Sequence, residues 1–311
     1  LLGFYQALVE SRIPFEMIHD RTLEGRNVDR FGLLILPNIA ALSDAQCRQL
    51  RDYVSRGGSI VATLETSLYD EWGERRSGFG VGDLFGCAFD GGFDERMQNS
   101  YLALEHGTRH PLLRGLEGVP RVINGVRRVH VRPLDSPAKA PLTLIPSYPD
   151  LPMEMVYTTT PRTDIPAVYC RQNGKGRVVY FPMDIDRTFW EVLSPDHQAL
   201  LRNAVEWAAP DVSPVRVIGQ GLLDIAVWRQ DRSLTTHLVN LTNPMAMKGP
   251  FREVFPVGPL TVEWRLPPGV RPQEVRLLTA NRAADWTVEG AELRVEVPRV
   301  EIHEVVAVDL A

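Results

Sequence analysis

Apolar residues recur along this 311-residue chain in two rhythms, and the change falls near residue 210. Before it, helical and strand patterns alternate. LLGFYQALVESR opens the chain inside a helical pattern, with Leu1, Leu8 and Val9 on one face. IPFEMIH (13–19) and FGLLILPN (31–38) follow as strands, the second with a continuous apolar run suited to burial on both faces. SDAQCRQLRDYVSRGG (43–58) has the marks of a helix. Ser43 and Gln46 are spaced as a capping box, Leu42 and Cys47 as a hydrophobic staple, and Gly57-Gly58 as a stop. The strand SIVATL comes next. Such alternation with short connections implies parallel strands, because the helix supplies the crossover.

Residues 95–172 are proline-rich and less regular, and are expected to form β-rich insertions and edge strands. GKGRVVYFPMDID (174–186) returns to a turn and strand. SPDHQALLRNAVEWAA (194–209) closes the region as a helix with Ser194 as N-cap, Pro195 in its first turn, and Leu200, Leu201, Ala204, Val205 and Ala208 facing inward. Pro210 and Pro214 bracket a linker. Beyond it the period becomes two, in LLDIAVW, SLTTHLVNLT, LTVEWRL, EVRLLT, ELRVEV and EIHEVVAVDL. VEGAEL is expected to be a tight hairpin, and NPMAMKGPF and PPGVRP loops. Short alternating strands of this kind over about a hundred residues predict a β-sandwich. The expected domains are therefore 1–209 and 213–311.

Composition narrows the function classes. Hydrophobic residues at 44% argue for packed cores rather than disorder. A formal net charge of -5 with dispersed basic residues excludes a basic nucleic-acid-binding stripe. No apolar run reaches the length of a membrane-spanning helix. Cys47, Cys87 and Cys170 show no CxxC spacing, so no zinc site or disulfide framework is expected. Buried thiols suit a reducing, cytoplasmic compartment.

The chemistry-bearing residues concentrate in ATLETSLYDEWGERR (62–76), just after a strand, where open α/β sheets place ligands. Thr66 and Ser67 are hydroxyl nucleophile candidates. Glu65, Asp70 and Glu71 could form a carboxylate pair for glycoside hydrolysis, which needs two carboxyl groups about 5–9 Å apart. Local pairing with Arg75 and Arg76 is the favoured account of them. Asp184, Asp186 and Arg187 occupy a similar strand end, but two carboxylates make a thin metal-ligand set. A serine hydrolase also needs a histidine base, and nothing in the spacing nominates His106, His110 or His197. Trp190, Trp228, Trp264 and Trp286 could stack sugars if exposed, although Trp228 and Trp264 alternate in phase with core positions.

The succession FGLLILPNIAALSDAQCRQLRDYVSRGGSIVATLETSLYDEWGERR resembles the trimerisation domain of family-42 β-galactosidases. GKGRVVYFPMDID, HLVNLTNP and IHEVVAVDL resemble the rest of their carboxy-terminal half. The resemblance implies a flavodoxin-like domain, of the class I glutamine amidotransferase type, followed by a small β-sandwich. It implies a (β/α)8 barrel upstream in the same chain that holds the catalytic carboxylates, and self-association as a trimer. A flavodoxin-like sheet begins with a central strand, so that strand is expected to be missing here, leaving IPFEMIH and FGLLILPN one neighbour short. In the amidotransferase pattern a sharp elbow near residue 64 carries a cysteine between glycines. Here LETSLYDE offers neither cysteine nor glycine, and Glu65 and Leu68 beside the hydroxyls argue against an elbow.

The expected role is therefore non-catalytic: support for the cleft of the upstream barrel, and oligomerisation. No residue here is expected to be catalytic, and no metal or cofactor is expected. Glu65, Thr66, Ser67, Asp70, Glu71 and Arg75 are expected to line the cleft, with carbohydrate as a candidate ligand and neither nucleic acid nor membrane as partner. The rival expectations are a free-standing hydrolase using the 65–76 loop, and a carbohydrate-binding module whose sandwich carries a row of exposed aromatics.

Overall fold

The computed structural model describes every residue except 98, 136–138, 149–151, 153, 155–159, 161, 210–212 and 243–252. Pro210 and the loop NPMAMKGPF thus lie outside the described residues. Two compact units emerge, Leu1–Tyr5 with Ile18–Val212, and Gln6–Met17 with Ser213–Ala311. The opening helix, α1 (Leu2–Ser11), contributes to both. In the second unit, Arg12 donates to the carbonyls of Val217 and Gly221.

The first unit has nine strands among its described residues. They are β1 (Leu33–Leu36), β2 (Ser59–Thr63), β3 (Cys87–Asp94), β4 (Tyr101–Leu104) and β5 (Arg121–Ile123). β6 (Arg128–Pro133), β7 (Leu142–Ile145), β8 (Tyr169–Asn173) and β9 (Gly176–Phe181) complete them. The main sheet has the order β1-β2-β9-β8, with β1, β2 and β9 parallel and β8 antiparallel. Every residue of β2 is buried, as are Val178 to Phe181 of β9, so these two strands form the floor on which the helices pack.

The helix between β1 and β2 is α2 (Asp44–Ser55), and its capping box is complete. Ser43 Oγ accepts from the Gln46 amide, and the Gln46 side chain accepts from the Ser43 amide. Cys47, Leu50, Tyr53 and Val54 make up its buried stripe. After α3 (Gly82–Phe85) and α4 (Ile185–Val192), α5 (Pro195–Ala208) buries Leu200, Leu201, Ala204, Val205 and Ala208. Ser194 stands at its N-cap, but the hydroxyl makes no capping hydrogen bond, and Pro195 supplies the pre-set first turn instead. The irregular middle is β-rich, with an antiparallel sheet β5-β4-β7 and the pair β3-β6.

Two strand expectations need correction. IPFEMIH forms no strand. Pro14 has no amide to donate to a ladder, and Met17 is exposed, so neither alternate set of side chains finds a buried face. FGLLILPN does form β1, yet Leu33, Ile35 and Leu36 are only half-buried. Among the described strands its one neighbour is β2, which leaves its other edge open.

The second unit comprises β10 (Val215–Ile218), β11 (Leu223–Arg229), β12 (Ser233–Asn240), β13 (Leu260–Arg265), β14 (Pro272–Leu277), β15 (Arg282–Ala283), β16 (Asp285–Glu289), β17 (Glu292–Val297) and β18 (His303–Leu310). They make two antiparallel sheets, β10-β13-β17-β16 and β11-β12-β18-β14-β15. One core lies between them, from Val262, Leu293 and Val295 on one sheet to Ile225, Leu238, Val306 and Val308 on the other. β16 and β17 are joined at Gly290, whose φ of 62° only glycine adopts at no steric cost.

The two tryptophans assigned to the core part company. Trp264 is buried, and its indole N–H donates to Thr236 Oγ1 at 2.8 Å. Trp228 is 59% exposed, because Ile225 takes the inward position on β11 and Trp228 falls on the opposite face. The Trp264–Thr236 bond ties the two sheets through the middle of the core. Replacing Thr236 by Val keeps the shape but strands a buried N–H donor, which costs about 1–3 kcal/mol. Denaturant unfolding should show that loss for Thr236→Val and little further loss for Thr236→Val combined with Trp264→Phe.

Candidate functional site

The chain leaves β2 through a strained turn. Leu64 has φ 52° and Ser67 φ 65°, left-handed values that non-glycine residues rarely adopt. The sharp elbow is therefore present, although LETSLYDE predicts none. What fills it is apolar. Leu64 is buried, its amide donates to the Phe181 carbonyl at 2.8 Å, and its carbonyl accepts from Tyr180 Oη at 2.5 Å.

The two hydroxyls beside it serve the backbone. Thr66 Oγ1 donates to the carbonyls of Thr63 and Leu36, at 2.7 and 3.1 Å. Ser67 is fully buried, and its Oγ accepts from the Val81 amide at 3.2 Å. The histidine rings are engaged elsewhere: His106 with the Val119 carbonyl, His197 with the Ile123 carbonyl and His110 with the Leu112 amide. Burial raises the thiol pKa of Cys47, Cys87 and Cys170, which disfavours a thiolate nucleophile.

The six expected cleft residues do not form one cluster. Asp70 Oδ1 accepts from the amides of Trp72 and Glu74, both at 2.9 Å, and so shapes its own loop. Glu71 and Arg75 are exposed on that loop, and Trp72 at its tip is 84% exposed. Arg75 lies 6.0 Å from the Phe89 ring centroid, while Arg76 pairs with Asp44. The local pairing expected of Glu65 with Arg75 and Arg76 is not made. Glu65 is buried and pairs with Arg127 at 3.0 Å, and it also accepts from Tyr69 Oη at 3.1 Å.

Arg127, which the sequence did not nominate, organises the rim at the carboxyl ends of β2 and β9. Its guanidinium bridges Glu65 and Glu95, and its amide donates to Asp184 Oδ1 at 3.1 Å. Gly125 lies so close to Asp184 that a Cβ there would stand 1.8 Å from Oδ1. The other oxygen, Oδ2, is buried without a hydrogen-bond partner among the described residues. Its contact with Arg187 is long, at 3.8 Å. Burial outweighs the amide hydrogen bonds and raises the Asp184 pKa. Beside it, Gly125 and Thr188 border a cavity of about 320 Å³ whose walls include Ser100, Asn124, Tyr101 and Glu191. The cue for this cluster was the Asn124-Gly125 turn signal followed by Arg127, inside the stretch that lacked periodicity. Asp186 is also buried on this rim.

No protein-family model matches the chain, and no curated protein matches it. Solved structures do. α-L-Fucosidase isoenzyme 2 from Paenibacillus thiaminolyticus aligns over 100% of this chain and 45% of its own, with 15% identity and a TM-score of 0.75. The β-galactosidase of Bacillus circulans sp. alkalophilus aligns over 98% of this chain and 36% of its own, at 14% identity and a TM-score of 0.64. A catalytic mutant of Gan42B, a GH42 β-galactosidase from G. stearothermophilus, covers 100% of this chain and 36% of its own, at 17% identity and a TM-score of 0.58. The class defined is thus an α/β unit followed by an antiparallel β unit, with the fold of one part of these glycoside hydrolases. This chain spans less than half the length of each.

Two outcomes follow from the site geometry. Ser67 should resist labelling by a fluorophosphonate probe in the native protein, since its oxygen is buried and serves Val81. Labelling that Ser67→Ala abolishes would contradict this arrangement. Asp184 has a raised pKa in the folded state, so its protonated form contributes stability below the unfolded carboxylate pKa, and that contribution is lost as pH rises through the folded value. Asp184→Asn should therefore match the parent near about pH 4 and equal or exceed its melting temperature near about pH 7. A variant less stable at the higher pH would mean that an ionised, paired Asp184 is the native state.

Proposed function

We propose that this chain is a non-catalytic, carboxy-terminal portion of a glycoside-hydrolase-like protein. On this reading the first unit is a flavodoxin-like domain of the amidotransferase and β-galactosidase-trimerisation type, and the second is its accompanying small sandwich. The first unit buttresses the cleft of a (β/α)8 barrel in the same chain and mediates self-association, which family resemblance makes trimeric. Unpaired thiols fit a reducing, cytoplasmic setting for carbohydrate breakdown.

One observation carries the reading. The buried rim carboxylates are committed to their own architecture: Glu65 to Arg127 and Tyr69, and Asp184 to the Arg127 amide. Glycoside hydrolysis needs one carboxyl group to donate a proton and a second to attack or activate water from across the sugar. Glu65 and Asp184, 7% and 3% exposed, have no open face to offer a substrate. The elbow offers none either, since Leu64 fills it. The full-length likeness of this chain to less than half of each enzyme supports an accessory place beside a separate catalytic body.

The carbohydrate-binding alternative draws no support from the exposed tryptophans. Trp228 stands on β11 and Trp286 on β16, in different sheets, so they make no common platform.

The chain on its own should turn over none of a panel of nitrophenyl glycosides. Turnover that disappears in Glu65→Gln or Asp70→Asn, and persists in a surface control such as Arg282→Lys, would defeat the non-catalytic reading.

A further inference from the structure

On the outer face of the five-stranded sheet, two histidines from adjacent strands meet. His237 Nδ1 and His303 Nε2 are 3.2 Å apart, and the rings are stacked at 5.3 Å between centroids and 22° between planes. At that distance one nitrogen carries a proton and the other accepts it. The antiparallel register fixes the meeting, since His237 pairs with Val305 and His303 with Val239 on neighbouring strands. The two side chains are therefore diagonal neighbours on one face, held by rigid backbone rather than by a loop.

The surroundings of His237 favour neutral imidazole. Across β11, Ala226 stands opposite His237. Val305 points outward, away from the core side taken by Val306 and Val308, yet is only 8% exposed. Burial, followed by the neighbouring His303, lowers the pKa of His237. Neutral imidazole is the form that ligates a metal. Charged groups at outward positions of the same sheet include Asp224, Asp309, Glu274 and Arg276, and Asp224 lies opposite Val239.

We propose that His237 and His303 form a surface site for a divalent transition-metal ion, with the imidazole nitrogens that now share a proton becoming two adjacent ligands. The geometry matches. Two nitrogens each about 2.0–2.1 Å from zinc are about 2.9 Å apart at a right angle and about 3.4 Å apart at the tetrahedral angle. The observed separation lies between these limits, so metal entry replaces the shared proton with a small rotation of the rings. The ring that donates in the pair breaks that N–H bond and takes a proton from solvent on its other nitrogen, so both ligands stay neutral imidazoles and no net proton is released. No third His, Cys, Asp or Glu completes a cluster among the described residues, which leaves the remaining positions to water. Imidazole ligands select zinc, nickel or copper over magnesium and calcium, which prefer oxygen.

The test is calorimetric titration of the chelator-stripped full chain with Zn²⁺, Ni²⁺ and Mg²⁺. Zn²⁺ and Ni²⁺ should bind one per chain, with no heat from Mg²⁺. His237→Gln and His303→Gln should each weaken Zn²⁺ binding by about tenfold or more, while His106→Gln leaves it unchanged. Both positions face outward, so the melting temperatures of the apo variants should match the parent. As a second reading, Zn²⁺ should shift the imidazole NMR signals that disappear in those two variants. Absence of saturable Zn²⁺ binding would overturn the proposal and leave a hydrogen-bonded pair only. Binding unaffected by either substitution, or shifts confined to other histidines, would overturn it as well.

Discussion

The hydrogen bond from the Tyr180 hydroxyl to the Leu64 carbonyl holds the first unit's rim in place. Tyr180 sits at the middle of the buried floor, stacked on Phe85 at 4.2 Å and edge-on to Phe79 at 5.5 Å. Its hydroxyl is buried, and burial holds its pKa well above the ordinary phenol value, so it stays a donor. The Phe181 carbonyl takes the Leu64 amide, so β9 grips both polar groups of one residue. That grip fixes where the chain turns after β2. The positions of Glu65, Thr66 and Ser67 follow from it.

Local sequence signals were legible wherever a short window contains its own physics. Ser43 and Gln46 are three residues apart and satisfy each other's amides, so the start of α2 could be read directly. The period-two segments from β11 to β18 carry their own inward and outward faces, so the two sheets and their core could be anticipated. Trp228 failed because its phase is set by Ile225 and Leu223 facing in, and an aromatic residue looks apolar from either side. IPFEMIH failed because β-type residues do not make a strand without a ladder partner. The site was harder to read than the fold. Glu65 and Arg127 are 62 residues apart, and no local pattern announces a pairing across that distance.

Arg127 engages the buried carboxylates of the rim. A glycosidase keeps its two carboxyl groups open to the substrate and perturbs one of them to hold a proton. Here Arg127 draws Glu65 and Glu95 to one guanidinium, and its backbone takes one oxygen of Asp184. Asp184 does have the raised pKa expected of a general acid. However, Oδ1, the oxygen beside Gly125, is taken by the structural amide of Arg127, and Oδ2 is buried without a hydrogen-bond partner among the described residues. Perturbed pKa values mark burial first and catalysis only when the group can reach a substrate.

The elbow carries the same lesson for strain. Left-handed backbone at a non-glycine residue costs on the order of 1–2 kcal/mol, and such strain is commonly taken as a sign of catalysis. At Leu64 and Ser67 it persists with a leucine where a nucleophile would stand. The reason lies in what surrounds it. Tyr180 and Phe181 bind Leu64, Thr66 caps the end of β2 through the Thr63 carbonyl, and Ser67 both donates its amide to the Ile39 carbonyl and accepts from Val81. Several buried hydrogen bonds, each worth about 1 kcal/mol net, are enough to offset two strained residues. These hydrogen bonds, together with the burial of Leu64, account for the strained turn off β2 in terms of packing and polar satisfaction.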